Sequence, residues 1–180
     1  MRWMWIDQVL ELAPGHRLTA IKNVTLAEEH LHDHFAAAGD LPPLPVVPAS
    51  LIIEGMAQTA GILVGAARGF REKVILAKIL RAELECEVFP GQSLRYQAEI
   101  QRIDAAGAAT AGLVSRARPP AATWEPIGRI DLLFSHVDRS ISGVEVPEHN
   151  FVFGENLRVL LDSAGFDVLR PRTVLEVPRP

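Results

Sequence analysis

The sequence predicts an α+β fold in which an antiparallel β-sheet of about five or six strands wraps around one long apolar central helix. Three observations carry this. The stretch LIIEGMAQTAGILVGAA, Leu51 to Ala67, is apolar or small at nearly every position and has no polar stripe wide enough to face water. The segments after it alternate apolar and polar residues with a period of two, as half-buried strands do. Proline and glycine pairs separate those segments where turns are needed.

Taken in order, two β-like runs come first, Trp3 to Leu12 and Arg17 to Leu26, joined through Pro14 and Gly15 as a hairpin. EEHLHDHF follows, then AAAGDLPPLPVVPAS, whose Pro42, Pro43, Pro45 and Pro48 forbid regular helix or central strand and make it a loop. Pro48 suits the first turn of a helix running from about Leu51 to Arg68, with Ser50 helping to cap it and Gly69 closing it. From Val74 to Val88 the even positions are apolar apart from Lys78, while Glu83, Glu85 and Glu87 take odd ones, which indicates one long, bent strand. After Pro90-Gly91, Leu94, Tyr96, Ala98 and Ile100 alternate with Arg95, Gln97, Glu99 and Gln101 in a half-buried pattern. Ala108 to Arg118 and Trp124 to Val137 complete the strands. Beyond Asp138 the β pattern ends, and Glu155 to Ala164 reads as a short amphipathic helix stopped by Gly165. The expected division is therefore a domain over residues 1–140 and a C-terminal extension over 141–180 that covers a sheet edge or stiffens an oligomer.

With 180 residues, 48% of them hydrophobic, the chain can bury one ordinary core. A net charge of −4 supplies no global basic field, so nucleic acid is not an expected partner. The single Cys86 excludes an internal disulfide and a cysteine-based zinc site, and it shares a strand face with Leu84 and Val88, where packing explains it. Asp7 and Glu11 interrupt the first apolar run, which lacks the core of a signal peptide, so a cytoplasmic protein is expected. Leu51 to Ala67 is short for a bilayer, and Glu54 and Gln58 would both need satisfying in hydrocarbon; a buried helix without membrane insertion is the expectation.

Glu54 is the residue that asks for chemistry. A carboxylate in an apolar helix costs several kcal/mol unless it is paired or has a task. Gln58, four residues on, shares its face and can orient it. Histidine is the economical partner for acid-base work near neutrality, and His30, His32 and His34 lie just upstream. Those three alternate, so an extended backbone would also place them on one face as zinc ligands do; the competing reading is exposed loop histidines.

The texts VLELAPGHRLTAIKNVTLAEEHLHDHF, PVVPASLIIEGMAQTAGIL and VFPGQSL together resemble the bacterial 3-hydroxyacyl-ACP dehydratases of hot-dog fold, whose recurring phrases are AIKNVT, GHFPG-x-PVMPG, LIxEAMAQ and VxPGDxL. The resemblance spans roughly Trp5 to Val137 in order. It implies that His34 is the catalytic histidine, Glu54 the catalytic carboxylate and Gln58 the glutamine one turn later. It also puts Ala49 at the helix-start position whose backbone N–H binds the thioester carbonyl, with Phe35, Val47 and Pro48 beside it as substrate-binding positions. The implied reaction is dehydration of a (3R)-hydroxyacyl thioester on acyl carrier protein to the trans-2-enoyl product, with no cofactor and no metal. The implied assembly is a homodimer, extending in some members to a trimer of dimers, with each site drawing the histidine from one chain and the carboxylate from the other.

This chain departs from the family pattern at Asp33 and Ala49, where the family has Gly, and at Ala36, where it has Pro; about six extra residues lie between Phe35 and Pro45. Such an insertion can bulge into solvent at small entropic cost. Two rival readings keep the same fold: an acyl thioesterase, and a non-catalytic module that binds acyl carrier or acyl chain. A third takes PPLPVVP as a polyproline ligand. Arg68, Arg71, Lys73, Lys78 and Arg81 are the expected basic rim for an acidic carrier.

Overall fold

A computed structural model describes residues 4–32, 36–120, 123–137, 140–141, 144–145 and 153–166. Strands β1 (Gln8–Ala13) and β2 (Arg17–Asn23) form the hairpin; α1 (Glu29–His32) is a single helical turn; α2 (Ala49–Ala67) is the long helix. Then come β3 (Lys73–Leu84), β4 (Ser93–Ile103), β5 (Gly107–Ala117) and β6 (Glu125–Val137), a short pair β7 (Ser140–Ile141) and β8 (Val144–Glu145), and α3 (Glu155–Ser163). The first six strands make one antiparallel sheet in the order β1-β2-β4-β5-β6-β3, and α2 packs against its inner face, the hot-dog arrangement.

The long helix is held by burial. Ile52, Met56, Ala60, Leu63 and Val64 are all at most 2% exposed. Each large apolar side chain removed from water in this way contributes about 1.5–3 kcal/mol. The helix starts two residues earlier than the sequence suggests, with Pro48 as its N-cap and no side-chain cap; Ser50 lies inside the first turn and does not cap it. It ends as expected at Gly69 (φ +62°), where the N–H of Gly69 bonds to the Ala66 carbonyl and that of Phe70 to Gly65. Gly55 is required by a close approach: any Cβ there would overlap the Tyr96 phenol, which lies fully buried beneath the helix. Burial pushes the Tyr96 hydroxyl up, so it stays neutral.

The strands match their alternation, with one difference. Leu94, Tyr96 and Ala98 of β4 are fully buried, as their period of two requires. In β3 the even positions do not all face a core: Val74 is buried, but Leu76 and Leu80 are exposed, as is Ile79 from the odd face. β3 is an edge strand bonded only to β6, and its register shifts between Leu76 and Lys78 and again between Ile79 and Arg81. From Leu76 to Glu83 both faces of the strand are exposed, so alternation there does not mark a covered face. Leu84 and Cys86 pack against the core as expected, and Val88 is fully buried.

The C-terminal helix ends one residue before the expected Ala164, with Gly165 (φ +78°) following. It contacts β1 and sends Leu157, Leu160 and Leu161 into the same core as α2. Phe153, just ahead of α3, sits edge-on to Phe70 with ring centroids 4.9 Å apart.

Candidate active site

Glu54 occupies the second turn of α2 and is half-buried; Gln58, one turn on, is 3% exposed. The Gln58 side-chain amide donates to Glu54 Oε1 at 2.8 Å, and its own oxygen accepts the backbone N–H of Trp5 at 2.7 Å. The Trp5 N–H can only donate, so the amide oxygen must face it and the NH2 group must face the carboxylate. Glu54 is therefore held by an amide whose orientation is fixed from a distant part of the chain.

Trp5 joins this pair to α1. Its ring lies 5.0 Å from the His30 imidazole and carries Lys22 Nζ 5.3 Å above its centroid. Lys22 Nζ is in turn 3.0 Å from both Asp7 and Glu28. Burial works against that ammonium, but the hydrogen bonds to Asp7 and Glu28 outweigh it and hold Lys22 above its ordinary pKa. Asp7 also accepts the Asn23 backbone N–H at 2.6 Å. The Asp7–Lys22–Glu28 triad thus ties the strand hairpin to the helical turn that immediately precedes His34. His34 itself, and Phe35, lie outside the described residues.

The helix entry is set by Val47, 3% exposed, whose N–H bonds to the Val88 carbonyl at 2.8 Å. Pro48 has no N–H, and Ala49 is the first helical residue, exposed and without a side-chain cap above it. The first N–H groups of a helix have no partner within it, so this end can receive a developing negative charge. Ala49 needs no positive φ here, so its extra methyl in place of glycine costs no backbone strain. The inserted loop is exposed from Ala36 to Leu44, and Ala38 and Leu41 exchange two backbone bonds of 3.1 Å around Gly39 and Asp40. It projects into solvent as a small hairpin, as an insertion tolerated at low entropic cost would.

From Glu54 an open apolar groove of about 160 Å³ runs beside α2 past Gln58 and Gly61, facing Leu76, Phe134 and Phe153. A larger depression of about 330 Å³ involves Gln97, Glu99, Leu113 and Arg129 and does not include Glu54 or Gln58. The groove brings together Glu54 and Gln58 of the expected site; Trp5, Phe134 and Phe153 are additions that local sequence could not give, because they arrive from strands and loops far along the chain.

Two sequence expectations are corrected. The shared face for His30 and His32 required extended backbone, but Glu29–His32 is helical. At about 100° per residue the two point roughly 200° apart, and His30 rests on Trp5 with Nε2 3.6 Å from Glu28. The five basic residues also do not form one free rim. Lys73 is buried, Arg68 bonds to the Asp104 carbonyl and sits 4.0 Å from Glu72, and Arg81 is paired with Glu83. Arg71 and Lys78 are exposed.

The FabA-like domain model matches residues 2–117. The chain is similar to the 3-hydroxyacyl-(acyl-carrier-protein) dehydratase FabZ of Thiobacillus denitrificans, 39% identical over 104 residues, which is 56% of this chain and 68% of that one. It is similar to the FabZ of Listeria welshimeri at 36% identity over 102 residues, covering 56% and 67% of the two chains. Among solved structures, the dehydratase heterocomplex ApeI:P from Xenorhabdus doucetiae superposes with a TM-score of 0.55 at 17% identity, over 74% of this chain and 83% of that one. An acyl-CoA hydrolase from Agrobacterium tumefaciens gives 0.54 at 17% identity, over 72% and 46%. At those identities the two structures speak to the fold alone.

Proposed function

This chain belongs to the FabA-like domain family, and on that premise we propose that it dehydrates (3R)-hydroxyacyl thioesters carried by acyl carrier protein to trans-2-enoyl thioesters, in fatty acid biosynthesis. The observation that carries the reading is Glu54, fixed by Gln58 at the head of an open apolar groove of about 160 Å³. His34 takes the C2 proton, the C2–H electron pair becomes the C2–C3 double bond, and the C3–O bond breaks. Glu54 protonates or positions the departing hydroxyl, which leaves as water. The uncapped start of α2 at Ala49 receives the charge that grows on the thioester oxygen. Val47 and Pro48 shape the entrance, and Phe35 lies beside His34 in sequence.

Beside the groove, which Val74 and Leu76 of β3 help to line, β3 leaves its outer edge unpaired and exposes Leu76, Ile79 and Leu80. An apolar free edge is an aggregation hazard unless it is covered. Its occupant in this reading is a second copy of the chain, giving a homodimer in which the partner's His34 faces Glu54. Three such dimers forming a trimer is the further assembly consistent with the family resemblance. The carrier docks on exposed Arg71 and Lys78, and a reducing cytoplasm suits the free Cys86.

Incubation with a 3-hydroxyacyl thioester while following enoyl absorbance and free thiol tests the assignment. Enoyl formation, with loss of about 10²–10⁴-fold in Glu54→Gln and in His34→Ala, is expected. Thiol release without enoyl product would identify a thioesterase, and acyl binding without either would identify a binding module. Reversing Arg71 and Lys78 to Glu raises KM for carrier-bound substrate only; equal change with a small thioester refutes the docking assignment.

A further inference from the structure

Glu54, Gln58, Gly61 and Gly65 follow one another at i, i+4, i+7 and i+11, so they lie along one side of α2 over about 16 Å of helix. The two glycines leave the far part of that stripe without side chains. Phe134 approaches Gly61, and Phe153 fills the space over Gly65: its ring lies so close that a Cβ there would overlap it. The ring is 7% exposed, stands edge-on to Phe70 at 78°, and forms part of the wall of the Glu54 groove. It comes from the segment C-terminal to the family-matched residues 2–117.

Resting on the dehydratase reading, we infer that Phe153 is the stop that sets how long an acyl chain the Glu54 groove accepts. The groove wall follows the helix from Glu54 only as far as Gly61 and Ile62, about 10–12 Å. A chain reaching Gly65 would need roughly 13 bonds at the ~1.2 Å per bond of an extended backbone. The wall as it stands accommodates roughly 9–10 bonds, and the Phe153 ring against Gly65 occupies the space beyond it. Replacing it with a smaller side chain joins the space over Gly65 to the groove and lets longer chains enter.

Each further methylene buried is worth about fourfold in affinity or kcat/KM. The test measures kcat/KM of the full chain for 3-hydroxyacyl thioesters from butyryl to tetradecanoyl length, for the unaltered protein, Phe153→Leu and Phe153→Ala. The unaltered protein should decline beyond medium lengths, and the variants should raise the dodecanoyl-to-hexanoyl ratio by about 10-fold or more. Phe153→Leu guards against misfolding of the alanine variant and is checked by its unfolding transition. A folded Phe153→Leu with the same length profile overturns the proposal. If the unaltered protein turns over no thioester at all, the dehydratase reading fails by itself. The same length series of non-reactive acyl thioethers, followed by calorimetric titration, then decides the role of Phe153: an identical affinity profile in both proteins refutes it.

Discussion

Replacing Gln58 by Met keeps the bulk of the side chain and deletes the two hydrogen bonds described above. One goes to a carboxyl group and the other satisfies the buried Trp5 N–H. Leaving a buried donor unpaired costs about 1–3 kcal/mol, and loss of the bond to Glu54 adds roughly another 1 kcal/mol. The sum, about 2–4 kcal/mol, should lower the urea midpoint and drop Tm by about 4–16 °C for a chain of this size. Activity should fall further than stability explains. Glu54 would be free to turn, and a displacement of about 1 Å costs about 10²-fold in rate. Because this effect runs through Glu54, adding Gln58→Met to Glu54→Gln should reduce kcat/KM by little more than Glu54→Gln alone. Two rate losses that simply multiply in the double variant would refute the idea that Gln58 acts by holding Glu54.

Gly55→Ala should destabilise by about 1–3 kcal/mol, because its methyl meets the Tyr96 phenol; an unchanged urea midpoint would contradict that contact. Lys22→Met strands the Asp7 and Glu28 carboxylates and should cost about 1–3 kcal/mol, between the values for exposed and buried pairs. Since the folded pKa of Lys22 is raised, its contribution is complete throughout the neutral range and fades only as pH climbs through that raised value, above about 10.4. A Lys22→Met difference that shrinks already between neutral pH and mild alkali would be the wrong sign. Ile79→Lys with Leu80→Lys should leave a folded monomer on sedimentation analysis; a dimer that persists would move the subunit boundary away from β3.

The parts of this molecule that could be read from sequence are those governed by local period. Leu51 to Ala67 had to be enclosed because it is apolar all round, and Leu94, Tyr96 and Ala98 had to face inward because they alternate. The Glu54 and Gln58 pair followed from helical spacing alone. Reading failed where parity stops meaning face. In β3 every residue from Leu76 to Glu83 is exposed whatever its parity, so an alternating pattern there did not mark a covered face. It also failed where side chains meet across long separations. Trp5 holds Gln58 across 53 positions, and nothing near either residue announces the other. Phe153 over Gly65 is of the same kind, since a glycine in a helix signals a close approach without saying what approaches.

The little hairpin at Gly39 and Asp40 has a practical corollary. Its flanks, Ala38 and Leu41, already stand a hydrogen bond apart and face the solvent, so extra chain spliced at the tip would begin and finish at neighbouring points. A fluorescent reporter or an affinity handle could be grafted there with no change in the span it must bridge.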